Sequence, residues 1–371
     1  MDTPFFKSLQ SSHFSIFKKE KSVLGIDMGA SSVKLAQVRL SEERAVLETY
    51  GELATGPYAS KAVGQGARLS GEKMKEVLQD LIRETGATAE EAVIAVPLHN
   101  SFVTTVEIPR AGTTEDLATV MQYEARRYIP IPISEVVMDW WQVPDAGYNA
   151  ESTVVTPAKT YTQVILVAVP KDVLEKYRMV VTDAGLKAAA FEIEIFSSIR
   201  SVIGRERSGL LLIDFGAVST KMAILDRGLL RVSHSLDKGL QDVTVAISES
   251  LGIGFERAEI LKREVGMSAS AEYKEVMKVI GPQVDFILIE IERFVVGHTR
   301  KHKETVSKIF LAGGGALLPG LSDHIVKKFG VEVIQGNPFS RLEYPAFFQP
   351  VLKEIGPSFS VAVGLALRGL K

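Results

Sequence analysis

The chain has 371 residues, of which 46% are hydrophobic, so it can bury a full core and is long enough for two domains or lobes. Its 43 Lys and Arg against 45 Asp and Glu give a formal net charge of -2, which provides no overall attraction to nucleic acid or acidic lipid. There is no cysteine, which excludes a disulfide framework and every thiolate metal site and is compatible with a reducing compartment.

Residues 1–22 mix aromatic side chains with lysine and serine, and no uninterrupted apolar segment follows them. This pattern is typical neither of a signal peptide nor of a membrane span. We interpret residues 1–22 as a partly ordered tail.

The next segment predicts a meander of three strands followed by a helix and a buried strand. The strands are Val23 to Asp27, Val33 to Leu40, Ala45 to Tyr50 and Ala92 to Val96, and the helix is Ser70 to Glu84. Strands and a helix in this order indicate one layered α/β domain.

From about Ser101 the pattern restarts and predicts a small insert with its own sheet. Its predicted strands are Phe102 to Ile108, Val136 to Gln142 and Gln163 to Val169, and its helices are Thr114 to Tyr128 and Lys171 to Ala184. Pro144 to Thr160 is polar and predicts a long exposed hairpin loop. After Gly185, the strand Ala188 to Ile193 is expected to rejoin the first domain.

A second lobe is predicted from about Gly209. Its strands are Leu210 to Asp214, Lys221 to Leu225 and Val306 to Leu311, and its helices are Leu240 to Leu251, Phe255 to Glu264, Leu317 to Phe329 and Phe359 to Leu370. Ala271 to Lys301 is predicted as a further helical pair.

An internal repeat is the most informative feature. DMGASSVKLAQV, starting at Asp27, and DFGAVSTKMAIL, starting at Asp214, share Asp, Gly, Ala, Ser, Lys and Ala at identical offsets. Each copy follows an apolar strand and precedes another, which predicts a hairpin with Gly29 or Gly216 at its tight end. Two copies, one in each half, favour a duplicated domain enclosing a cleft.

Such hairpins suit a polyphosphate and magnesium. Turn amides that are not covered by large side chains form an anion-binding nest, and Ser31, Ser32, Ser219 and Thr220 add hydroxyls. Lys34 and Lys221 can neutralise phosphate charge. Asp27 and Asp214 supply the hard carboxylate oxygens that magnesium prefers, through its water molecules.

A third motif, LAGGGALLPGL from Leu311 to Leu321, runs from a strand through three glycines into a helix. The glycines allow a ligand to lie against the backbone, and a helix start favours negative charge. The GxGxxG spacing of dinucleotide-binding folds is absent.

This order of parts resembles the actin, DnaK-type chaperone and sugar-kinase superfamily over nearly the whole chain. The resemblance implies bound ATP with Mg²⁺ between Asp27 and Asp214, and adenosine beside Gly313 to Gly315, with Glu259 and Lys262 at the purine and ribose. It implies a phosphate cradle of Gly29, Ala30, Ser31, Ser32, Lys34, Gly216, Ala217, Val218, Ser219, Thr220, Lys221 and Gly239. Glu194 takes the place of the carboxylate that orients a hydrolytic water, although Ile195 replaces the usual proline.

The resemblance predicts an α/β, actin-like (ribonuclease-H-like) two-lobed fold with an inserted small α+β subdomain. The predicted first domain comprises residues 23–100 and 186–208, with the closing helix 359–371 packed back on it. The insert comprises 101–185, and the second domain comprises 209–358 with a helical subdomain at about 237–304.

The insert and its EARRYIPIPISEVVMDW segment, Glu124 to Trp140, resemble the PilM family, which acts in type IV pilus assembly and twitching motility. The resemblance implies a cytoplasmic, nucleotide-binding protein, at most a slow ATPase, at the inner face of the inner membrane. It implies a partner, PilN, whose N-terminal peptide binds in a groove beside the insert, further pilus inner-membrane and motor components, and no nucleic acid. Association with the membrane would be indirect, through these partners.

Two alternatives remain. The division protein FtsA has a similar insert but ends in a linker and an amphipathic membrane helix, whereas this sequence stops at Lys371 directly after the predicted closing helix, so we expect PilM rather than FtsA. A small-molecule kinase of the superfamily would need a substrate pocket and a carboxylate base, and no motif marks them.

Overall fold

The computed structural model describes residues 21–109, 114–143, 161–204, 206–268 and 273–371. The predicted tail, up to residue 20, and the predicted loop Pro144 to Thr160 lie outside the described residues. The chain divides into two compact units: Pro97–Glu175 forms one, and the remaining described residues form the other.

Runs of one to three strands alternate along the chain with runs of one to three α-helices. The strands are β1 (Ser22–Met28), β2 (Ser32–Ser41), β3 (Arg44–Ala54), β4 (Glu91–Val96), β5 (Phe102–Pro109), β6 (Val136–Gln142), β7 (Tyr161–Pro170), β8 (Lys187–Ile193), β9 (Leu210–Phe215), β10 (Thr220–Asp226), β11 (Leu229–Leu236), β12 (Lys308–Ala312) and β13 (Glu332–Gln335). The helices are α1 (Gly71–Thr85), α2 (Thr114–Glu124), α3 (Lys171–Asp183), α4 (Glu194–Val202), α5 (Leu240–Leu251), α6 (Phe255–Val265), α7 (Lys274–His302), α8 (Leu321–Phe329), α9 (Gln349–Ile355) and α10 (Ser360–Gly369).

Two five-stranded sheets repeat one topology in the larger unit. The first has the order β3-β2-β1-β4-β8 and the second the order β11-β10-β9-β12-β13. In each sheet three antiparallel strands form a meander, and the meander's first strand pairs in parallel with a later strand, β4 or β12. The hairpin β1–β2 therefore occupies the same place in its sheet as β9–β10 does in the other.

Close backbone approach joins the C-terminal helix to the first sheet. A Cβ at Gly25, in β1, would collide with the backbone of α10 at Ala362, and one at Gly364 would collide with Ser197 of α4. Glycine therefore lets β1, α10 and α4 pack in direct contact. The segment Ala346–Gly369 is apolar and long enough to cross a membrane, but 61% of its apolar 18-residue window is buried inside the protein, as in a core helix.

The predicted helical pair at Ala271 to Lys301 is wrong, because α7 is one continuous helix of 29 residues. Pro282 lies inside it, at a cost on the order of 3 kcal/mol for an interior proline. Burial of one continuous apolar face of α7 outweighs that cost. The buried apolar side chains are those of Val276, Ile280, Val284, Ile287, Leu288 and Ile291.

The smaller unit contains a three-stranded antiparallel sheet in the order β5-β7-β6. Its core is separate from those of the five-stranded sheets and is formed by the buried side chains of Val106, Ile108, Met121, Ala125, Ile129, Val136, Val164, Leu166 and Ala168. Sheet and helix residues share this core, as the predicted α+β insert requires.

Candidate functional site

The two repeated motifs form hairpins with the same register. Asp27 lies directly across from Lys34 in β1–β2, and Asp214 lies directly across from Lys221 in β9–β10. Side chains at opposed positions of antiparallel strands lie on the same face of the sheet, so the spacing of seven residues between Asp and Lys becomes a cross-strand pair.

Both hairpin tips require glycine. A Cβ at Gly29 would lie 2.9 Å from the Ser32 carbonyl oxygen, and one at Gly216 would lie 2.7 Å from the Ser219 carbonyl oxygen. Gly216 N also donates to Ser219 O at 3.0 Å. The tips are therefore tight turns without bulky cover, as predicted from the two glycines.

The lysines of the two hairpins form ion pairs with different carboxylates. Lys221 Nζ lies 3.0 Å from Glu194 Oε2, and both side chains are nearly fully buried. Lys34 Nζ lies 3.0 Å from Glu52 Oε1 and donates to Ser32 Oγ at 2.6 Å. Glu194 is the first residue of α4, so the helix that follows β8 delivers a carboxylate to the second hairpin.

Burial and neighbouring charges shift the pKa values of this cluster. Burial raises the pKa of Asp27 to about 6; Lys34 and Lys221 oppose the rise, and Glu194 and Asp214 add to it. Burial likewise raises the pKa of Asp214, against the effect of Lys221. Although burial lowers the pKa of Lys221, the carboxylates of Glu194, Asp214 and Asp27 outweigh burial and raise it.

This donor set fits a divalent cation. Three carboxylates, Asp27, Asp214 and Glu194, lie close enough to one another and to two lysines for their charges to interact. A bound cation would favour the ionised form of Asp27, which burial disfavours. The oxygens are of the kind that magnesium prefers. Among the described residues, no group of three His, Asp or Glu is placed to hold a metal ion directly.

The hydroxyls predicted for the phosphate cradle differ in their surroundings. Thr220 is fully buried and donates to Lys238 O at 2.8 Å, which ties the second hairpin to the segment before α5. Ser32 Oγ accepts from Lys34 instead, within the first hairpin. Ser219 is buried, whereas Val218 is 42% exposed at the hairpin tip.

The start of α5 fixes the second hairpin in place. Leu240 N donates to Gly216 O at 3.0 Å, and Gln241 N donates to Ala217 O at 2.8 Å. A Cβ at Gly239 would collide with Ala217 O, so glycine is required for this contact. Gly239 thus serves the site by allowing the helix to dock on the hairpin.

The three glycines after β12 are not equivalent. Gly313 has φ 78°, and a Cβ there would collide with Asp214 Oδ1, while a Cβ at Gly315 would lie 2.7 Å from Phe215 Cβ. A Cβ at Gly314 would meet only Ser358 Cβ, at 4.0 Å. Gly313 and Gly315 therefore pack against the second hairpin, and Gly314 leaves space on the other side.

Glu259 and Lys262 lie one turn apart on α6 and bind each other. Lys262 Nζ donates to Glu259 Oε2 at 2.6 Å, to Thr244 Oγ1 at 2.9 Å and to Leu240 O at 3.1 Å. Burial raises the pKa of Glu259, but Lys262 outweighs it and the pKa is lowered; burial also lowers the pKa of Lys262, more than Glu259 raises it. Through Leu240 this pair joins the second hairpin.

Two neighbours of the site were missed in the sequence. Glu52, the partner of Lys34, sits on the third strand of the meander with no motif around it. Tyr177, on α3, has its pKa raised to about 12 by burial and by the charges of Glu194 and Asp27. Successive side chains of β3 point to opposite faces of the sheet, and this alternation is the one signal that could have placed Glu52 beside Lys34.

A family profile described as type IV pilus assembly protein PilM matches residues 25–370. A solved PilM-PilN type IV pilus biogenesis complex contains a chain similar to this one, with a TM-score of 0.77 at 25% identity, covering 94% of this chain and 98% of that chain.

More distant structures share the fold alone. Ethanolamine utilization protein EutJ from Carboxydothermus hydrogenoformans has a TM-score of 0.54 at 15% identity, covering 94% of this chain and 89% of that chain. The MamK double helical filament has a TM-score of 0.51 at 14% identity, covering 94% of this chain and 98% of that chain. The predicted actin-like α/β fold is confirmed by these likenesses.

A curated relative, cell division protein FtsA from Streptococcus pneumoniae, is 28% identical over 186 residues, which is 44% of this chain. The match spans 40% of that relative, so this chain corresponds to about two fifths of its length. The FtsA likeness is therefore partial, whereas the PilM profile covers nearly the whole chain.

Proposed function

The chain belongs to the PilM family of type IV pilus assembly proteins, and from that premise we propose that it is a nucleotide-loaded adaptor at the cytoplasmic face of the inner membrane. The proposed ligand is ATP with Mg²⁺, and the proposed partner is the N-terminal segment of a PilN-like membrane protein.

The observation that carries the nucleotide proposal is the pair of matched hairpins. Each has a glycine tip and a cross-strand Asp–Lys pair, and the two pairs are close enough for their charges to shift one another's pKa. Two such hairpins from two sheets can hold one polyphosphate from both sides.

Each part of the site has a proposed role. Asp27 and Asp214 would hold the magnesium through water, and Lys34 and Lys221 would neutralise phosphate oxygens. The proposed cradle and adenosine contacts are Gly29, Ala30, Ser31, Ser32, Gly216, Ala217, Val218, Ser219, Thr220, Gly239, Glu259, Lys262, Gly313, Gly314 and Gly315.

This arrangement is better suited to retaining a bound nucleotide than to hydrolysing it rapidly. Glu194, the proposed water-orienting carboxylate, is engaged by buried Lys221 at 3.0 Å. A water molecule would compete with Lys221 for this carboxylate. We therefore propose that hydrolysis is slow and that the nucleotide serves mainly to join the two lobes.

The partner proposal rests on family membership and on the similar PilM-PilN complex. The Pro97–Glu175 unit presents large exposed apolar side chains at Tyr123, Ile131 and Tyr161. Exposed apolar surface beside a sheet is what a short peptide needs for binding. We propose that the partner's peptide binds along this unit and brings the chain to the membrane.

Hydrogen exchange tests both ligands in one experiment. We expect magnesium and ATP to slow exchange in residues 27–34 and 214–221, and a synthetic PilN N-terminal peptide to slow exchange in 101–143 and 161–185. A scrambled peptide is the control. Unchanged exchange at both hairpins would refute the nucleotide proposal, and unchanged exchange across the inserted sheet would refute the partner proposal.

A further inference from the structure

The segment between β3 and α1, residues 55–67, is attached at both ends to the tip of the first hairpin; we call it the strap. At its start, Thr55 N donates to Ser31 O at 3.0 Å and Thr55 Oγ1 donates to Ala30 O at 2.6 Å. At its end, Ala67 N donates to Ala30 O at 2.9 Å. The strap is therefore a closed loop based on the first hairpin.

Hydrogen bonds within the strap give it a defined shape. Lys61 N donates to Gly56 O at 2.9 Å, Gln65 N donates to Ala62 O at 3.1 Å, and Lys61 Nζ donates to Gly66 O at 3.1 Å. Tyr58 OH donates to Asp80 Oδ2 on α1 at 2.5 Å. These contacts tie the strap to the first sheet and its helix, so it moves with that lobe.

The far side of the strap reaches the second lobe. Gly66 N donates to Gln241 Oε1 at 2.5 Å, and Gln241 lies in the first turn of α5. A Cβ at Gly66 would lie 2.8 Å from Val218 Cγ1 and 3.8 Å from Ala30 Cβ. Gly66 therefore sits between the tips of the two hairpins.

The strap also extends to the Glu259 position. Gly64 has φ 82°, and a Cβ there would lie 3.2 Å from Glu259 Cγ. The strap thus runs from the first hairpin, past the tip of the second, to the proposed purine-binding pair. These are the three places that a bound nucleotide would touch.

We propose that the strap is a gate over the nucleotide cleft and that Gln241 is its latch. The inference rests on the proposed nucleotide binding. The strap has several hydrogen bonds to its own lobe, whereas the hydrogen bond described above joins it to the second lobe at the Gln241 side-chain oxygen, beside packing contacts with Val218 and Glu259. It therefore opens on the Gln241 side. Nucleotide enters and leaves when Gly66 separates from Gln241 and Val218.

A reversible crosslink tests the gate directly, because the chain has no native cysteine. In the Gly66→Cys, Val218→Cys variant the two Cβ atoms would be at most about 4.3 Å apart, which does not exceed the upper limit of roughly 4.5 Å for disulfides. This upper limit is the sum of two lengths. The Gly66 Cβ position lies 2.8 Å from Val218 Cγ1, and the bond from Cγ1 to Val218 Cβ adds about 1.5 Å.

Release of a fluorescent ATP analogue with magnesium is followed after adding excess ATP. We expect the oxidised, preloaded variant to release the analogue at least about 100-fold more slowly than the same protein after reduction, and the oxidised, empty variant not to load. Equal release before and after reduction would overturn the gate. The reduced form carries both substitutions and is therefore the matched control for their own effect on the cradle and on the Gln241 contact.

Substitution of the latch gives a second, independent readout. Gln241→Ala removes the acceptor for Gly66 N, whereas Gln241→Glu keeps an oxygen there. Loss of one hydrogen bond to the closed state should raise the association and dissociation rate constants together, by roughly 2- to 10-fold, with Kd changed less than twofold. Gln241→Glu should restore the rates. A rise in dissociation alone, with a matching rise in Kd, would assign Gln241 to the ligand and refute the latch.

The two proposals fail differently. If the wild-type chain binds no analogue, nucleotide binding is wrong and the gate falls with it. If the wild-type chain binds and the reduced double variant does not, the substitutions have damaged the cradle, and the rate constants of Gln241→Ala decide the gate. If both proteins bind the analogue, and crosslinking leaves its loading and its release rate unchanged, the gate alone is wrong.

Discussion

The two hairpins share their sequence pattern and register but differ in what their lysines bind. Lys34 has Glu52 directly across from it on β3, and the two form an ion pair. At the matching position of the second sheet, Lys221 has Ser235 across from it on β11. With a serine rather than a carboxylate across from it on β11, Lys221 pairs with Glu194 at the start of α4.

This difference separates the roles of the two lysines. The Lys34 pair lies within one sheet, and Glu52 is 44% exposed. The Lys221 pair is buried and links the second sheet to α4, which follows the last strand of the first sheet. The two copies of the motif thus share their backbone geometry, but the strand or helix beside each copy determines which carboxylate its lysine pairs with.

The largest effect expected from this comparison is on stability. Lys221→Met should lower the free energy of unfolding at pH 8 by about 3–5 kcal/mol, because it leaves the carboxylate of Glu194 buried without its cation. Lys34→Met should cost less than Lys221→Met, since Glu52 remains partly in water. Urea unfolding measures both, and equal losses would show that the two lysines are equivalent.

Unlike the two lysines, the carboxylates of Asp27 and Asp214 should have similar effects when they are removed. Both Asp27 and Asp214 have their pKa raised by burial beside the same lysines, so Asp27→Ala and Asp214→Ala should each weaken magnesium-dependent ATP binding. The expected loss is about 10- to 100-fold, or roughly 1.5–3 kcal/mol. Isothermal titration calorimetry measures it, with exposed Asp183→Ala as the control. Unchanged affinity in both variants would contradict the assigned site.

The smallest effect expected is on pH dependence and concerns Asp27. Its folded pKa of about 6 lies above the ordinary value of 3.8, so the stability it contributes is present below about pH 4 and is lost as the pH rises through 6. Magnesium binding needs the ionised form, so affinity for magnesium and ATP should fall about tenfold between pH 7 and pH 5.

Asp27→Asn separates these two effects. It should bind magnesium and ATP weakly at every pH and lose the pH dependence, while the unliganded protein becomes more stable at pH 7 because no carboxylate needs to be buried in ionised form. A pH dependence that survives in the Asn variant would assign the titration to another group.

Local pattern was sufficient for the hairpins because every contact that forms them is close in sequence. Alternating apolar residues, a glycine tip and an Asp seven residues before a Lys fix strand, turn and register together. The glycine run after β12 was also recognised, but its three members were treated as equivalent. The packing of Phe215 and Asp214 against Gly313 and Gly315 distinguishes them.

What the amino-acid sequence determined by itself was the repeated strand–turn–strand unit and its paired Asp and Lys, since strand periodicity and turn geometry act over a few residues. Only the tertiary structure decided that Lys221 binds Glu194, that α7 continues through Pro282, and that Gly66 lies between the two hairpins. Those outcomes depend on burial and on neighbours distant in sequence, whose approach no local pattern specifies.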